Sequence, residues 1–423
     1  MGCTAIRHVA GAAPRVGVPD DHRLQGDTEQ MSDAPPVTSD FYDLEALLPD
    51  DERALLHRVR AFMDTQVEPV INEYWTRGEF PHELVPGLAE LGIAGNPYSG
   101  YGCPGRSSLF DGMVAMELSR GDASISTFMG VHGGLAMGSI YLCGSEEQKE
   151  RWLPAMARME LIGAFGLTEP EAGSDIARGA QTTARREGDT WILNGEKKWI
   201  GNASFADLVI IWAKDEDSDQ VLGFVVEKGT PGFSAVDLKD KIALRVVQNA
   251  LITLKDVRVP EANRLQEARS FRDTAKVLKM TRAGVAWSSV GCSRGAYEHA
   301  LRYATEREQF GQPIAEFQLV QDLLVRMLGN ITASAAMCAR LSQLQDADAM
   351  TDEQASLAKA FCTMRMRETV GYARELMGGN GILLKNHVGR FAADAEAIYS
   401  YEGTREVNTL IVGRAVTGSS AIV

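Results

Sequence analysis

The sequence predicts an α+β protein built as three successive parts: helical, β, and helical again. Apolar residues recur at helical spacing from Asp50 to Leu118 and again beyond Phe271. Between Trp191 and Pro260 they gather instead into short runs rich in Val, Ile, Leu and Trp, with clusters of turn-forming residues between the runs. Neither the alternation of a doubly wound parallel sheet nor a lone helical bundle gives that succession.

Residues 1–40 mix Gly, Pro, Asp, Gln and Ser without periodicity and read as a disordered leader, with Met31 as an alternative start. Over residues 41–163 a helical domain is expected. Leu55, Leu56, Val59, Phe62, Met63 and Val67 share one helical face, and Leu84 to Leu91 and Phe110 to Leu118 repeat the pattern. Residues 164–270 form the middle β domain, whose runs TWILNGEKKWIGN, DLVIIWA, VLGFVVEK and NALITLKDVRVP read as antiparallel strands. Residues 271–423 return to helix, over Phe271 to Arg307, Glu316 to Asp346 and Thr351 to Met377. A last helix is opened by Thr404, whose hydroxyl can cap it ahead of Val407, Leu410, Ile411 and Ala415.

Of the 423 residues 45% are hydrophobic, enough for a large core, and the formal charge of −14 argues against a nucleic-acid partner. The six cysteines form no CxxC pair and the seven histidines no HxxxH, so neither a metal site nor a disulfide framework is expected. Reduced thiols suit the cytoplasm. No uninterrupted apolar run is long enough to span a membrane.

Several short stretches carry chemistry. Gly100 to Gly105 formally matches GxGxxG, but no strand feeds it and Pro104 stiffens it, so a dinucleotide loop is not expected. FGLTEPEAGSD, Phe165 to Asp175, offers Thr168, Glu169, Gly173 and Ser174 either to a polar planar cofactor or to a simple interdomain turn. KKWIGN places Trp199 beside Gly201, for stacking or for core filling. REQFGQPI, Arg307 to Ile314, suits a pyrophosphate partner or a charged helix end. LMGGNGI, Leu376 to Ile382, lets backbone approach a neighbour closely. In YEGT, Glu402 and nearby Glu406 gain about 0.3–1 kcal/mol from the dipole of the helix that follows, which is reason enough for an acid there.

Taken in order, FGLTEPEAGSD, WIGN, REQFGQPI with Gln318, LMGGNG and YEGT resemble the acyl-CoA dehydrogenase family from about Phe41 onward. The likeness leans toward the glutaryl-CoA dehydrogenase and plant short-chain acyl-CoA oxidase branch. The resemblance implies a helical N-terminal domain, a β-barrel-like middle domain and a C-terminal four-helix bundle. It also implies a homotetramer (dimer of dimers) binding FAD across a subunit interface, and an electron-transfer flavoprotein as acceptor. Phe165, Leu167, Thr168, Ser174, Trp199, Ile200 and Gly201 are then flavin-side contacts. Arg307, Phe310, Gln318, Leu376, Gly378 and Gly379 hold the adenosine and pyrophosphate end, partly from a neighbouring subunit, and Thr404 and Glu406 add FAD contacts.

Glu402 falls on the family's catalytic base. Removing the weakly acidic α-hydrogen of an acyl thioester needs a positioned carboxylate, a polarised carbonyl and a hydride acceptor. A second family solution places the base one residue before an arginine on an earlier helix, and the matching pair here is Thr281-Arg282, which leaves Glu402. Arg282 is expected to steady the active-site charge or CoA. Ser126, Thr127, Ser174, Tyr401 and Gly403 are expected around the substrate. Glutaryl enzymes hold the distal carboxylate with an arginine-serine pair, where this chain has Ser126-Thr127, so an uncharged short or medium acyl chain is favoured and Arg106 is the one substitute. Desolvation is expected to raise the Glu402 pKa against the helix dipole.

Overall fold

The computed structural model describes residues 39–421. The leader expected over 1–40 therefore lies almost wholly outside the described residues. Its end does not, and Ser39 is buried, its hydroxyl donating to Glu298 and accepting from Arg294.

The first helical part comprises α1 (Asp50–Phe62) and α2 (Glu68–Arg77), joined by a π-helical turn over Met63–Val67 that keeps Leu55, Leu56, Val59, Met63 and Val67 on one buried stripe. After α3 (Val85–Leu91) comes a tight hairpin, β1 (Ser99–Gly100) and β2 (Cys103–Pro104). Its turn residues Tyr101 and Gly102 have φ of 53° and 77°, the left-handed pair of a two-residue hairpin turn. The GxGxxG string is thus a hairpin. There follow α4 (Ser108–Gly121), α5 (Ala123–Met129), a π-helical segment Gly130–Ala136, α6 (Met137–Cys143) and α7 (Glu146–Ala157). Ser107, Asp122 and Ser145 cap α4, α5 and α7 with their side chains.

The middle part holds β3 (Gly163–Gly166), the one-turn α8 (Ile176–Gly179), β4 (Thr183–Glu187), β5 (Thr190–Gly201), β6 (Leu208–Asp215), β7 (Val221–Glu227), β8 (Phe233–Asp237) and β9 (Asn249–Pro260). They form a seven-stranded sheet in the order β3-β6-β4-β5-β9-β8, with β7 on β6. The sheet corrects the antiparallel expectation in one respect, because β6 runs parallel to both β3 and β4. Both reach β6 through connections much longer than a hairpin, so nothing forces them to oppose it.

The last part begins with α9 (Phe271–Glu306), a 36-residue helix about 54 Å long, and the hairpin β10 (Glu308–Gln309) and β11 (Gln312–Pro313). Then come α10 (Gln318–Asp346), α11 (Asp352–Leu376), α12 (Val388–Ser400) and α13 (Arg405–Thr417). Helix α12 was not expected from sequence. Its apolar stripe of Val388, Phe391, Ala395 and Ile398 is interrupted on the same buried side by Arg390 and Asp394, and it lacks a side-chain cap.

Those polar residues tie the three parts together. Arg390 pairs with Asp122 at the start of α5, while Asp394 Oδ1 accepts from Trp75 Nε1 (3.0 Å) and from Leu244 N (2.7 Å). Burial, with Asp122 adding to it, raises the Asp394 pKa to about 7.

Helices α4 and α9 touch backbone to backbone. A Cβ on Gly291 would stand 2.0 Å from Met116 O, and one on Gly295 2.3 Å from Arg120 O. Gly291→Ala is expected to cost about 1–3 kcal/mol by overpacking, read as a lower denaturant midpoint with unchanged slope.

Candidate active site

Glu402 occupies a four-residue link between α12 and α13. Tyr401 is extended, Glu402 and Gly403 have φ of 56° and 83°, and Thr404 caps α13 by accepting from Val407 N. A left-handed glutamate is strained by of order 1–3 kcal/mol and persists only when its surroundings fix it. Here Lys359, buried on α11, donates from Nζ to Tyr399 O (2.7 Å) and Gly403 O (2.8 Å), bracketing the glutamate, and Asn408 Nδ2 donates to Gly403 O (2.9 Å).

The carboxylate reaches across to α9, where Thr281 Oγ1 donates to Glu402 Oε2 at 3.0 Å. The sequence position that cannot itself be a base therefore touches the one that can. Arg282, next on α9, pairs with Asp352 at the start of α11 and acts on Glu402 only through its field. Burial raises the Glu402 pKa above the ordinary glutamate value, against the opposing pull of Thr281, Arg282 and Lys359. Lys359 is lowered to about 8 by its own burial, with Glu402 resisting. Thr281→Val, which removes a donor to the carboxylate while keeping shape, is expected to raise the Glu402 pKa further. The acid limb of a kcat/KM pH profile should then move to higher pH.

Glu402 and Tyr401 face a cavity of about 1040 Å³, part of it open to solvent. The π-helical segment forms one wall with Gly130, Val131, Gly133 and Gly134, and α4, α5 and α9 form the others. His132 anchors that segment to the sheet: its Nδ1 accepts from Gly163 N (3.0 Å) and its Nε2 bonds Met156 O (3.0 Å), while burial lowers its pKa to about 4. Ser126 and Thr127 lie in the cavity, Ser126 Oγ paired with Ser288 Oγ (3.1 Å) and Thr127 facing the Tyr401 phenol. No Lys or Arg is among the residues lining it. Arg106 is spent elsewhere, donating to Gly92 O and Asn96 Oδ1.

The flavin-side motifs meet at the sheet. Lys198 N donates to Thr168 O (2.8 Å), and a register shift between β5 and β9 at Lys197/Ile200 turns Trp199 outward at φ 68° with 55% of its surface exposed. Ile200 is buried, and Gly201 abuts Val131 of the cavity wall. Phe165 and Leu167 are buried, while Ser174 is exposed and Gly173 has nothing within 4 Å of a built Cβ. Glu169, offered by the sequence to a cofactor, is instead buried on Lys197 Nζ (2.7 Å) and on the main-chain N–H groups of Gln181 and Thr182. That ion pair fixes the loop, and the Trp199 indole and the Ser174 hydroxyl are left exposed, the one able to stack on a planar ring and the other to hydrogen-bond its polar edge.

The adenosine-end residues lie elsewhere. Arg307 follows α9 about 39 Å along the helix from Thr281. Phe310 is 95% exposed, Gln318 opens α10, and Gly378 and Gly379 are exposed after Leu376. Asn380 Nδ2 donates to Tyr303 OH (2.7 Å), gathering the glycine-rich turn beside the end of α9. Within one chain these residues form a group of their own. Glu406 at the start of α13 is exposed and pairs with Arg405.

Sequence reasoning missed Thr281 as partner of the base, Lys359 as its clamp, and Asp111 in the cavity. Lys359 had a signal, a lone charge between Ala358 and Ala360 on an apolar stripe.

A helical–β–helical fold with a buried acid facing a mainly apolar, partly open cavity, beside an exposed indole, is the arrangement expected of a flavoprotein that works on carbon–hydrogen bonds. The sequence matches the family models for the acyl-CoA dehydrogenase N-terminal domain over residues 49–160, middle domain over 164–257 and C-terminal domain over 271–417. The chain is 33% identical over 373 residues to a probable acyl-CoA dehydrogenase, YngJ, of Bacillus subtilis (87% of this chain, 98% of the relative). It is 31% identical to the mitochondrial short-chain specific acyl-CoA dehydrogenase of Rattus norvegicus (86% and 90%). The structure of glutaryl-CoA dehydrogenase from Mycobacterium smegmatis superposes with TM-score 0.88 at 39% identity (91% and 100%), and that of a glutaryl-CoA dehydrogenase from Mycobacterium smegmatis in complex with FADH2 with 0.87 at 37% (90% and 98%). This protein belongs to the acyl-CoA dehydrogenase family, FAD-binding oxidoreductases acting on CH–CH groups of acyl-CoA.

Proposed function

We propose that this protein dehydrogenates an uncharged short- or medium-chain acyl-CoA to the trans-2-enoyl-CoA, with Glu402 as the base. The observation that carries this reading is the Glu402 carboxyl itself, bonded to Thr281 and raised in pKa at the mouth of a cavity lined by no cation. The Glu402 main-chain N–H, which no other backbone carbonyl of the described chain takes up, is available to the thioester oxygen. Polarising that oxygen acidifies the α-hydrogen. The carboxylate removes the proton, and its raised pKa makes it a stronger base than a free glutamate. Bound FAD supplies the acceptor for the hydride leaving the β-carbon. Thr281 keeps the carboxylate aimed, Tyr401 and Gly403 flank the thioester, and Arg282 adds positive potential as the carbonyl gains charge.

A glutaryl substrate would bring a second carboxylate into a cavity whose other ionisable lining groups are Asp111 and two tyrosines. Without a cation such a charge is costly to bury, so the uncharged chain is preferred despite the likeness to a glutaryl-CoA dehydrogenase. The FAD adenosine end is held by Arg307, Phe310, Gln318, Leu376, Gly378 and Gly379 of a neighbouring copy in a homotetramer, a reading supported by the exposure of Phe310 and by the distance along α9. Ser174, Trp199, Thr404 and Glu406 serve the flavin side. An electron-transfer flavoprotein takes the electrons. The setting is cytoplasmic, in keeping with free thiols at all five described cysteines, and no helix among the described residues is long and apolar enough to cross a membrane.

Anaerobic mixing with butyryl-, hexanoyl- and glutaryl-CoA tests the reading. Butyryl- or hexanoyl-CoA should bleach the flavin absorbance, glutaryl-CoA should do so poorly, and reoxidation in air should be slow. If no acyl-CoA bleaches it, the reading fails; fast reoxidation would make the protein an oxidase.

A further inference from the structure

The cavity does not end in hydrocarbon. Ser288 lies seven positions beyond Thr281 on α9, about 10 Å along the helix. At that level the lining turns polar. The Ser126 and Ser288 hydroxyls pair, Trp287 Nε1 donates to Ser342 Oγ (2.9 Å), and Gln345 and Ser108 join them. Asp111, in the first turn of α4, faces the same space, next to Gly112, where a built Cβ would strike the Trp287 indole.

The Asp111 carboxyl has no counter-ion in the cavity lining. Asn96 stands beside it, its Oδ1 taken by Arg106 and its side-chain amide pulling the Asp111 pKa down. A structural reading would credit Asp111 with favouring the α4 dipole. Burial outweighs that benefit, raising its pKa to about 6, so the folded chain disfavours the charge it carries there. A plain alkyl chain would be served better by an apolar residue, and a dicarboxylate by a cation.

We propose that Asp111 is a specificity-determining residue at the far end of the acyl cavity, and that it selects an acyl group bearing a hydroxyl at its distal end. The carboxylate accepts a hydrogen bond from the hydroxyl, and Ser342 and Gln345 of the same lining can donate to the hydroxyl oxygen. A terminal ammonium would carry a full charge into the cavity at a desolvation cost that a neutral hydroxyl avoids, and a carboxylate would face Asp111 with like charge.

This inference rests on acyl-CoA oxidation as proposed above. Its test compares kcat/KM for acyl-CoAs of matched length ending in methyl, hydroxyl, ammonium or carboxylate, over the same range of chain lengths. The hydroxyl-ended substrate should exceed the others by roughly ten- to a hundred-fold. Asp111→Leu should invert the preference toward the methyl-ended chain, and the isosteric Asp111→Asn, which keeps the cavity shape, should lose most of it. Flavin bleaching by methyl-ended substrates with no hydroxyl preference, a preference for either charged end, or a preference unchanged in both variants would overturn the inference while leaving the parent reading intact. Absence of bleaching by every substrate would overturn both.

Discussion

Glu402→Gln is expected to lower turnover by about 10²- to 10⁴-fold, the usual worth of a positioned general base, while the purified protein keeps its flavin and still binds acyl-CoA. The variant preserves size and leaves the left-handed backbone, Lys359 clamp and α13 cap untouched, so lost turnover would report the missing proton acceptor. In the wild type the same carboxylate sets a pH limb. Catalysis needs the ionised form, and because burial raises the pKa, kcat/KM should rise with pH through a value above that of an ordinary glutamate. An acid limb at the ordinary value, or a Gln variant with near-normal turnover, would put the base elsewhere. The sign for stability is opposite. Ionising a carboxyl whose folded pKa is raised costs the folded state, so Glu402 contributes least to stability above that limb.

Lys359→Met should be the second large effect. It removes the ammonium that brackets Glu402 through Tyr399 O and Gly403 O. Gly403 O keeps Asn408 as a donor, but Tyr399 O loses its side-chain partner, at a cost of about 1–3 kcal/mol in stability. A base displaced by a fraction of an ångström should reduce kcat by roughly 10- to 100-fold with less change in KM. Because Lys359 also pulls the Glu402 pKa down, its loss should shift the acid limb upward. Lys359→Arg should recover part of the rate. A variant that is merely less stable, with rate and pH limb unchanged, would reduce Lys359 to a structural residue.

What was legible in the sequence and what was not divides along separation in the chain. The acid, its glycine and the Thr404 cap sit in one short stretch, and the helix they precede is read from spacing alone. The hydroxyl that touches the acid is 121 residues away, and the lysine that holds the flanking backbone is 44 residues from Gly403, so neither pairing leaves a local trace. Helix α12 was hidden because Arg390 and Asp394 break its apolar stripe, although both are buried and paired across domains. Strand direction was misread at β6 for a similar reason: the runs themselves are local, but whether neighbours run with or against one another depends on connections. For Glu169 the sequence left a cofactor edge and an interdomain turn both open; its charge is neutralised by Lys197, a residue inside a strand whose pairing leaves no local trace.

The length of α9 separates the residues around Glu402 from those around Arg307 by more than any single flavin can bridge. On the proposed assembly each polypeptide therefore lends one end of a site and borrows the other, and no subunit owns a complete cofactor pocket. Retention of the prosthetic group and association of the subunits become a single equilibrium, in which whatever loosens one loosens the other.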